Sequence, residues 1–228
     1  MIAPRIKPAT EIIHLSGISW QTYESLLKEL EHRRLRLTYN RGNLEIMAPS
    51  PEHERYKKAM GSFVETIAEE LELRIEPLGS TTFKRPELSG AEPDECFYIR
   101  NIDAIRGKKR LDLRNDPAPF GFAVAHGGNP QDRAVSPDLA IEIDVTSSSQ
   151  NRLQVYADLG VAEVWIYDDC SLTIQQLQDG KYIASQESQF FPNLPILEIA
   201  GFLQQAETIE YLELIKAFRS WVRNQLQG

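Results

Sequence analysis

The sequence predicts an α/β fold in which helices flank a mixed β-sheet, with a helix and a hairpin on its N-terminal side. Three observations predict it. Helical and strand periodicities alternate along the chain instead of segregating into blocks. The passage from Asp138 to Tyr167 reads strand–helix–strand, which implies a right-handed parallel crossover. Its first strand, Leu139–Val145, carries Glu142 and Asp144 among Ile and Val, where β-propensity alone would place neither acid.

The elements follow in order. Ser19 caps a helix whose apolar stripe, Tyr23, Leu26, Leu27 and Leu30, runs to about His32. Leu35–Tyr39 and Leu44–Met47 alternate on either side of a Gly42-containing turn, a hairpin signal. Ser50 caps and Pro51 opens a long helix buried along Tyr56, Met60, Phe63, Val64, Ile67, Ala68 and Leu71. Leu78–Lys84 reads as a strand, Arg85–Glu92 as a polar loop, and Asp94–Ile99 as the next strand. Asp116–Pro130 is rich in Gly and Pro and reads as a loop or loose hairpin, and the stretch from about Pro117 to Val135 as either a substrate-contacting insertion or a disordered one. Ser147–Ser149 precede a helix, Gln150–Leu159, that stops at Gly160. Val161–Tyr167 is an apolar strand, and Leu172–Leu177 pairs with Tyr182–Ala184 through Asp179-Gly180. A last helix runs from about Glu207 to Gln225.

With 228 residues the chain has room for one large domain, expected over 1–228, its core over about 16–200. A hydrophobic fraction of 42% and a charged fraction of 25% are ordinary for a soluble protein. No apolar run approaches membrane-spanning length, and the first fifteen residues lack a signal peptide's apolar centre. Cys96 and Cys170 form no CxxC, which argues against a zinc site or a disulfide framework; a cytoplasmic location is expected. The net charge of −8 counts against a protein that coats nucleic acid over its whole surface. The charge is uneven, however: six basic residues face two acids between Arg100 and Arg114. Lys108, Lys109 and Arg110 at its centre are candidates for nucleic-acid contact, or a solvated loop.

Period-two alternation puts Glu142 and Asp144 on one face of their strand, about 7 Å apart at the backbone. A second Pro-Asp element, Glu92-Pro93-Asp94, leads into another apolar strand. If the two strands are neighbours, three carboxylates converge, and their repulsion asks for a cation. Oxygen ligands without cysteine suit Mg²⁺ or Mn²⁺, which keeps waters and open positions for a phosphate ester. A solvated acidic face on an unrelated α/β domain is the plainer alternative.

Pro93-Asp94 followed by Glu142-x-Asp144 resembles the Pro-Asp…(Asp/Glu)-x-Lys signature of restriction-endonuclease-like nucleases. More closely, Met47–Glu54, Glu92–Ile99, Pro137–Ser147 and Tyr156–Trp165 resemble blocks of the Uma-type family of restriction endonucleases, in the same order. The resemblance covers about residues 16–200 and implies a restriction-endonuclease-like sheet flanked by helices. It implies a Mg²⁺- or Mn²⁺-dependent endonuclease acting on DNA, with Asp94 and Glu142 as metal ligands and Asp144 assisting. Asp144 stands where the superfamily has its lysine; the family's lysine position, four residues before Tyr156, holds Arg152. An arginine cannot surrender a proton at neutral pH but can stabilise charge on a phosphate. His53, Glu54 and Lys84 are supporting candidates, each also readable as a cap or surface residue. Tyr156 and Trp165 are expected in the core. By analogy with nucleases of this fold that cut both strands, a homodimer is expected. A nuclease-fold protein that binds nucleic acid or serves structurally without cleaving is the alternative function.

Overall fold

Glu142 and Asp144 are not on a solvated face: every residue of their strand is buried on both sides. A computed structural model describes residues 11–107, 136–144 and 150–227, and the architecture is that of these residues. The strands divide into two sheets instead of one. The first, ordered β1-β3-β2-β6-β5, comprises β1 (Glu11–Leu15), β2 (Arg36–Asn40), β3 (Asn43–Ala48), β5 (Phe83–Arg85) and β6 (Ser89–Ala91). The second, ordered β11-β10-β9-β8-β7-β4, comprises β4 (Glu76–Pro77), β7 (Glu95–Tyr98), β8 (Leu139–Ile143), β9 (Glu163–Tyr167), β10 (Leu172–Gln178) and β11 (Lys181–Ser185). β8 and β9 pair in parallel, Ile141 against Trp165, as the crossover expectation requires.

Six helices accompany the sheets: α1 (Trp20–Glu29), α2 (Pro51–Glu70), α3 (Ile102–Ile105), α4 (Gln150–Leu159), α5 (Ile199–Gln205) and α6 (Tyr211–Gln227). Alternation along the second sheet sorts its side chains between two layers. Phe97, Leu139, Ile141, Ile143, Trp165 and Tyr167 join α2, α5 and α6 in one cluster. Cys96, Tyr98, Ala140, Val164 and Ile166 join Val155, Tyr156 and Leu159 of α4 in another. α4 therefore lies between the sheets, touching β2, β5 and β6 on its far side. α1 packs Trp20 and Tyr23 on Leu37, Tyr39 and Leu44 of the N-terminal hairpin as a third cluster.

The caps and turns follow the sequence. Ser19 accepts the Thr22 amide at 3.1 Å and Ser50 the His53 amide at 3.1 Å. Arg41 and Gly42 both take positive φ, 44° and 91°, as a two-residue hairpin turn demands. α4 ends where Gly160 turns to φ 83°.

Several expectations are corrected. Leu78–Lys84 is not one strand: Gly79 takes φ 56°, and the chain leaves β4 in one sheet to enter β5 in the other. Part of the expected polar loop 85–92 is β6, whose Ser-Gly-Ala sequence carries no strand signal. Gly90 lies opposite Tyr39, and a Cβ there would stand 2.8 Å from the Tyr23 ring. Small residues are what let α1 approach the sheet. The last helix begins at Tyr211, not Glu207, and is preceded by α5. β1 and α3 were not anticipated. The basic triplet Lys108–Arg110, the loop 117–135, Val145 and the capping serines 147–149 lie outside the described residues.

Asp158 ties α4 to the first sheet. Its carboxylate accepts from Arg41 at 3.0 Å and from Ser89 at 2.7 Å, while its carbonyl accepts from Arg85 at 2.8 Å.

Two consequences can be measured. Gly90→Ala forces the added methyl against the Tyr23 ring; it should cost about 1–3 kcal/mol, read as a lower urea midpoint at unchanged slope. A midpoint equal to wild type would show that the ring yields freely. For Asp158, burial pushes the carboxyl up, but bonds from Arg41, Ser89 and Gln154 outweigh it and hold it below its ordinary value. A depressed carboxyl contributes stability above its unfolded pKa, and that contribution fades as pH falls through the folded one. Asp158→Asn should therefore flatten the loss of stability below about pH 4; parallel acid-unfolding curves would contradict this.

Candidate active site

A cluster of acids and guanidinium groups fills the space where α4, the N-terminal end of α2 and both sheets meet. β7 and β8 are antiparallel neighbours with Glu95 opposite Ile141, and the Asp94 amide donates to the Ile141 carbonyl at 3.0 Å. That register brings Asp94 beside Glu142. Both are only 1% exposed. Asp144 follows at the end of β8, buried, its amide donating to the Tyr167 carbonyl at 2.6 Å.

Asp94 is gripped through one oxygen. Its Oδ2 accepts from the Ile143 amide at 2.8 Å and lies 3.1 Å from His53 Nε2. Its Oδ1 is buried without a hydrogen-bond partner among the described residues, and Arg36 lies 3.6 Å from it. Burial pushes the Asp94 carboxyl up, but His53, Arg36 and the Ile143 amide together hold it below its ordinary value.

Glu142 is held through both oxygens, Oε2 by Arg152 and Oε1 by the Tyr156 hydroxyl. Arg152 and Tyr156 stand one helical turn apart, so both reach down the same face of α4. Arg152 also donates through Nε to Glu45 of β3 at 2.9 Å, and its far nitrogen lies 3.7 Å from the Met47 sulfur. Burial pushes the Glu142 carboxyl up to about 7; Arg152 and the Tyr156 hydroxyl pull it down, while Asp94 and Asp144 push with burial. Burial opposes the charge on Arg152, but Glu142 and Glu45 hold the guanidinium firmly protonated.

The predicted residues thus separate. Asp94, Glu142, Asp144, Arg152 and His53 meet in one cluster. Glu54 is at its rim, half-exposed and 3.7 Å from Arg36, His53 and Lys57. Lys84 pairs at the surface with Glu24 of α1, at 3.1 Å, and none of the clustered acids is its partner. Trp165 is core, as expected; Tyr156 is buried too but belongs to the cluster through its hydroxyl. Arg36 and Glu45 were missed. Each is a charge inside an alternating strand, the same signal that singled out Glu142. Within the hairpin, Arg36 and Glu45 share the face opposite Leu37, Tyr39 and Leu44.

Two other buried acids have structural work. Asp138, the second Pro-Asp aspartate, accepts the amides of Ile99, Arg100 and Asn101 at 2.7, 2.9 and 3.1 Å, and the Asn101 side chain at 2.7 Å. Glu163 accepts from the Trp165 indole, Ser188, the Gln189 amide and Gln176. Every oxygen of this pair is satisfied by the protein, unlike Asp94 Oδ1.

Among the described residues, no three His, Cys, Asp or Glu side chains are gathered at metal-binding spacing. No helix of the described residues is long and apolar enough to cross a membrane. No curated protein matches the chain. A solved structure from Anabaena variabilis, described as "a putative nuclease belonging to DUF820", is 15% identical with a TM-score of 0.45, covering 82% of this chain and 90% of that one. The Uma2 family profile, described as "Putative restriction endonuclease", matches residues 20–207. With most of its length inside that match, Asp94, Glu142 and Arg152 included, the chain belongs to the Uma2 family of restriction-endonuclease-like proteins.

Proposed function

We propose that the chain is a divalent-metal-dependent endonuclease that hydrolyses phosphodiester bonds in DNA. The observation that carries this reading is Asp94 Oδ1, a deeply buried carboxylate oxygen without a hydrogen-bond partner, on a residue set beside Glu142. A buried acceptor left unsatisfied is costly unless a positive group meets it. The surrounding charges point the same way. Among the described residues, three acids, Asp94, Glu142 and Glu45, face two guanidinium groups, Arg36 and Arg152. Hard oxygen donors suit Mg²⁺ or Mn²⁺, which needs only one or two protein carboxylates beside its waters.

In this reading Asp94 and Glu142 hold the ion and Asp144 supports it from the end of β8. Bound there, the ion would polarise the phosphate and activate a water for attack. His53 and the Ile143 amide fix the orientation of Asp94. Tyr156 and Arg152 set the orientation of Glu142, each taking one oxygen and leaving lone pairs for an ion. Arg152 supplies the positive charge that the family's lysine would carry. Each of its nitrogens already has an acceptor, and among the described residues one N–H of Nη1 is left for a phosphate.

The arginine in the family's lysine position favours a second reading, a protein of this family that binds nucleic acid without cutting it. An arginine cannot share a proton with a nucleophilic water.

Thermal melting tests the metal. Saturating Mg²⁺ or Mn²⁺ should raise the wild-type melting temperature, by roughly 2.7 kcal/mol of stability at a hundredfold excess over the dissociation constant. Asp94→Asn should lose most of that increment, and an identical increment in the variant would remove Asp94 from the ion. Plasmid nicking separates the two functions. Arg152→Ala should slow cleavage by about 10²-fold or more, a few kcal/mol of transition-state stabilisation. Arg152→Lys should retain or improve it. Activity in the lysine variant alone would mean that the native arginine silences the enzyme, and no activity in any of the three would favour the non-cleaving reading.

A further inference from the structure

A cleft of about 500 Å³ opens beside the acid cluster, between the α1–β2 turn and the N-terminal end of α2. Arg33, Arg34, Arg36 and Lys57 line it against two acids, Glu54 and Glu92. The acids leave Arg33 and Arg34 unpaired among the described residues. Glu92 accepts from the Thr82 hydroxyl at 2.6 Å and the Leu37 amide at 3.4 Å. Glu54 lies 3.7 Å from both Arg36 and Lys57. Arg33 and Arg34 are exposed, and among the described residues neither side chain has a hydrogen bond or ion pair.

Two exposed guanidinium groups at adjacent positions, unpaired among the described residues, bring affinity for a polyanion. Ser50 and Pro51 at the start of α2 complete the wall, so the positive end of a twenty-residue helix faces the same space. The cleft is continuous with the acids: Arg36 lines it and also stands 3.6 Å from Asp94. Guanidinium groups match phosphate oxygens in a planar fork.

We infer that this cleft is the track for a nucleic-acid backbone, with Arg33 and Arg34 each taking a phosphate on the strand that leads to Asp94. This rests on the nucleic-acid part of the reading above but not on cleavage. Lys57 and Arg36, already shared with Glu54, line the inner end of the track. Bases play no part in these contacts, so the affinity they give is independent of sequence.

The test is binding of a short fluorescein-labelled duplex, and of its single strand, to the full chain without divalent metal, titrated between about 50 and 200 mM salt. Each phosphate contact contributes about 0.9 to the log–log salt slope on duplex and about 0.7 on single strand. Arg33→Ala/Arg34→Ala should lower the slope by nearly two and weaken binding at least tenfold at low salt, with an unchanged melting temperature. Lys181→Ala/Lys216→Ala, removing two exposed charges elsewhere, should change neither. An unchanged slope in the arginine variant overturns the inference, as does an equal loss in the lysine control or a wild type that does not bind. Nicking with Mn²⁺ is scored separately. Binding through Arg33 and Arg34 without nicking sinks the hydrolytic reading and keeps the track. Nicking with intact binding by the arginine variant does the reverse.

Discussion

The guanidinium of Arg152 is the joint on which the structure turns. From one helix it reaches Glu142 of the second sheet and Glu45 of the first, so a single buried cation bridges both. Removing such a cation leaves two carboxylates facing each other out of water, at a cost of about 3–5 kcal/mol. A lysine would balance the charge, dividing three rotatable donors between the two acids in place of the planar fork. The arginine at this position therefore couples the integrity of the interface between sheets to the orientation of Glu142.

Where periodicity and turn chemistry decide local structure, the sequence was informative. Alternation placed β8, β9 and the N-terminal hairpin, and Ser50-Pro51, Gly42 and Gly160 marked their boundaries for stated steric reasons. It placed Asp94 and Glu142 at two apolar strands, and the pairing of β7 with β8 makes those strands neighbours. What it hid were elements whose existence depends on tertiary partners. β6 is a strand because β2 and β5 flank it, not because Ser-Gly-Ala prefers extension. The break after β4 is set by which sheet each piece joins. Arg36 and Glu45 were legible as charges in alternating strands, but only the packing of α4 against the hairpin shows what they face.

Buried acids in this molecule differ by what satisfies them. Asp138 is surrounded by amides and fixes the turn after β7; Glu163 collects four donors and fixes residues 188 and 189 against β9. Such carboxylates complete a fold and have nothing left to offer. Asp94 has the same burial and a similar place on a strand, yet among the described residues its Oδ1 accepts no hydrogen bond and has Arg36 at 3.6 Å. Counting donors separates the two aspartates, which the motif Pro-Asp, present twice, does not.

The packing of α6 on α2 sets an order of events during synthesis. Arg219 bonds Glu70 across 149 residues of chain, and Phe218 stacks on Phe63 with ring centroids 4.1 Å apart. At typical elongation rates, roughly 10–30 s separate the appearance of these partners. Throughout that interval the apolar face of α2 that α6 will cover has no native cover, although α1 and the N-terminal hairpin can already close on one another. The nascent chain thus carries a finished N-terminal cluster beside an uncovered helix. In that interval chaperone capture or intermolecular sticking would compete with folding, and the site between the two sheets would be completed late.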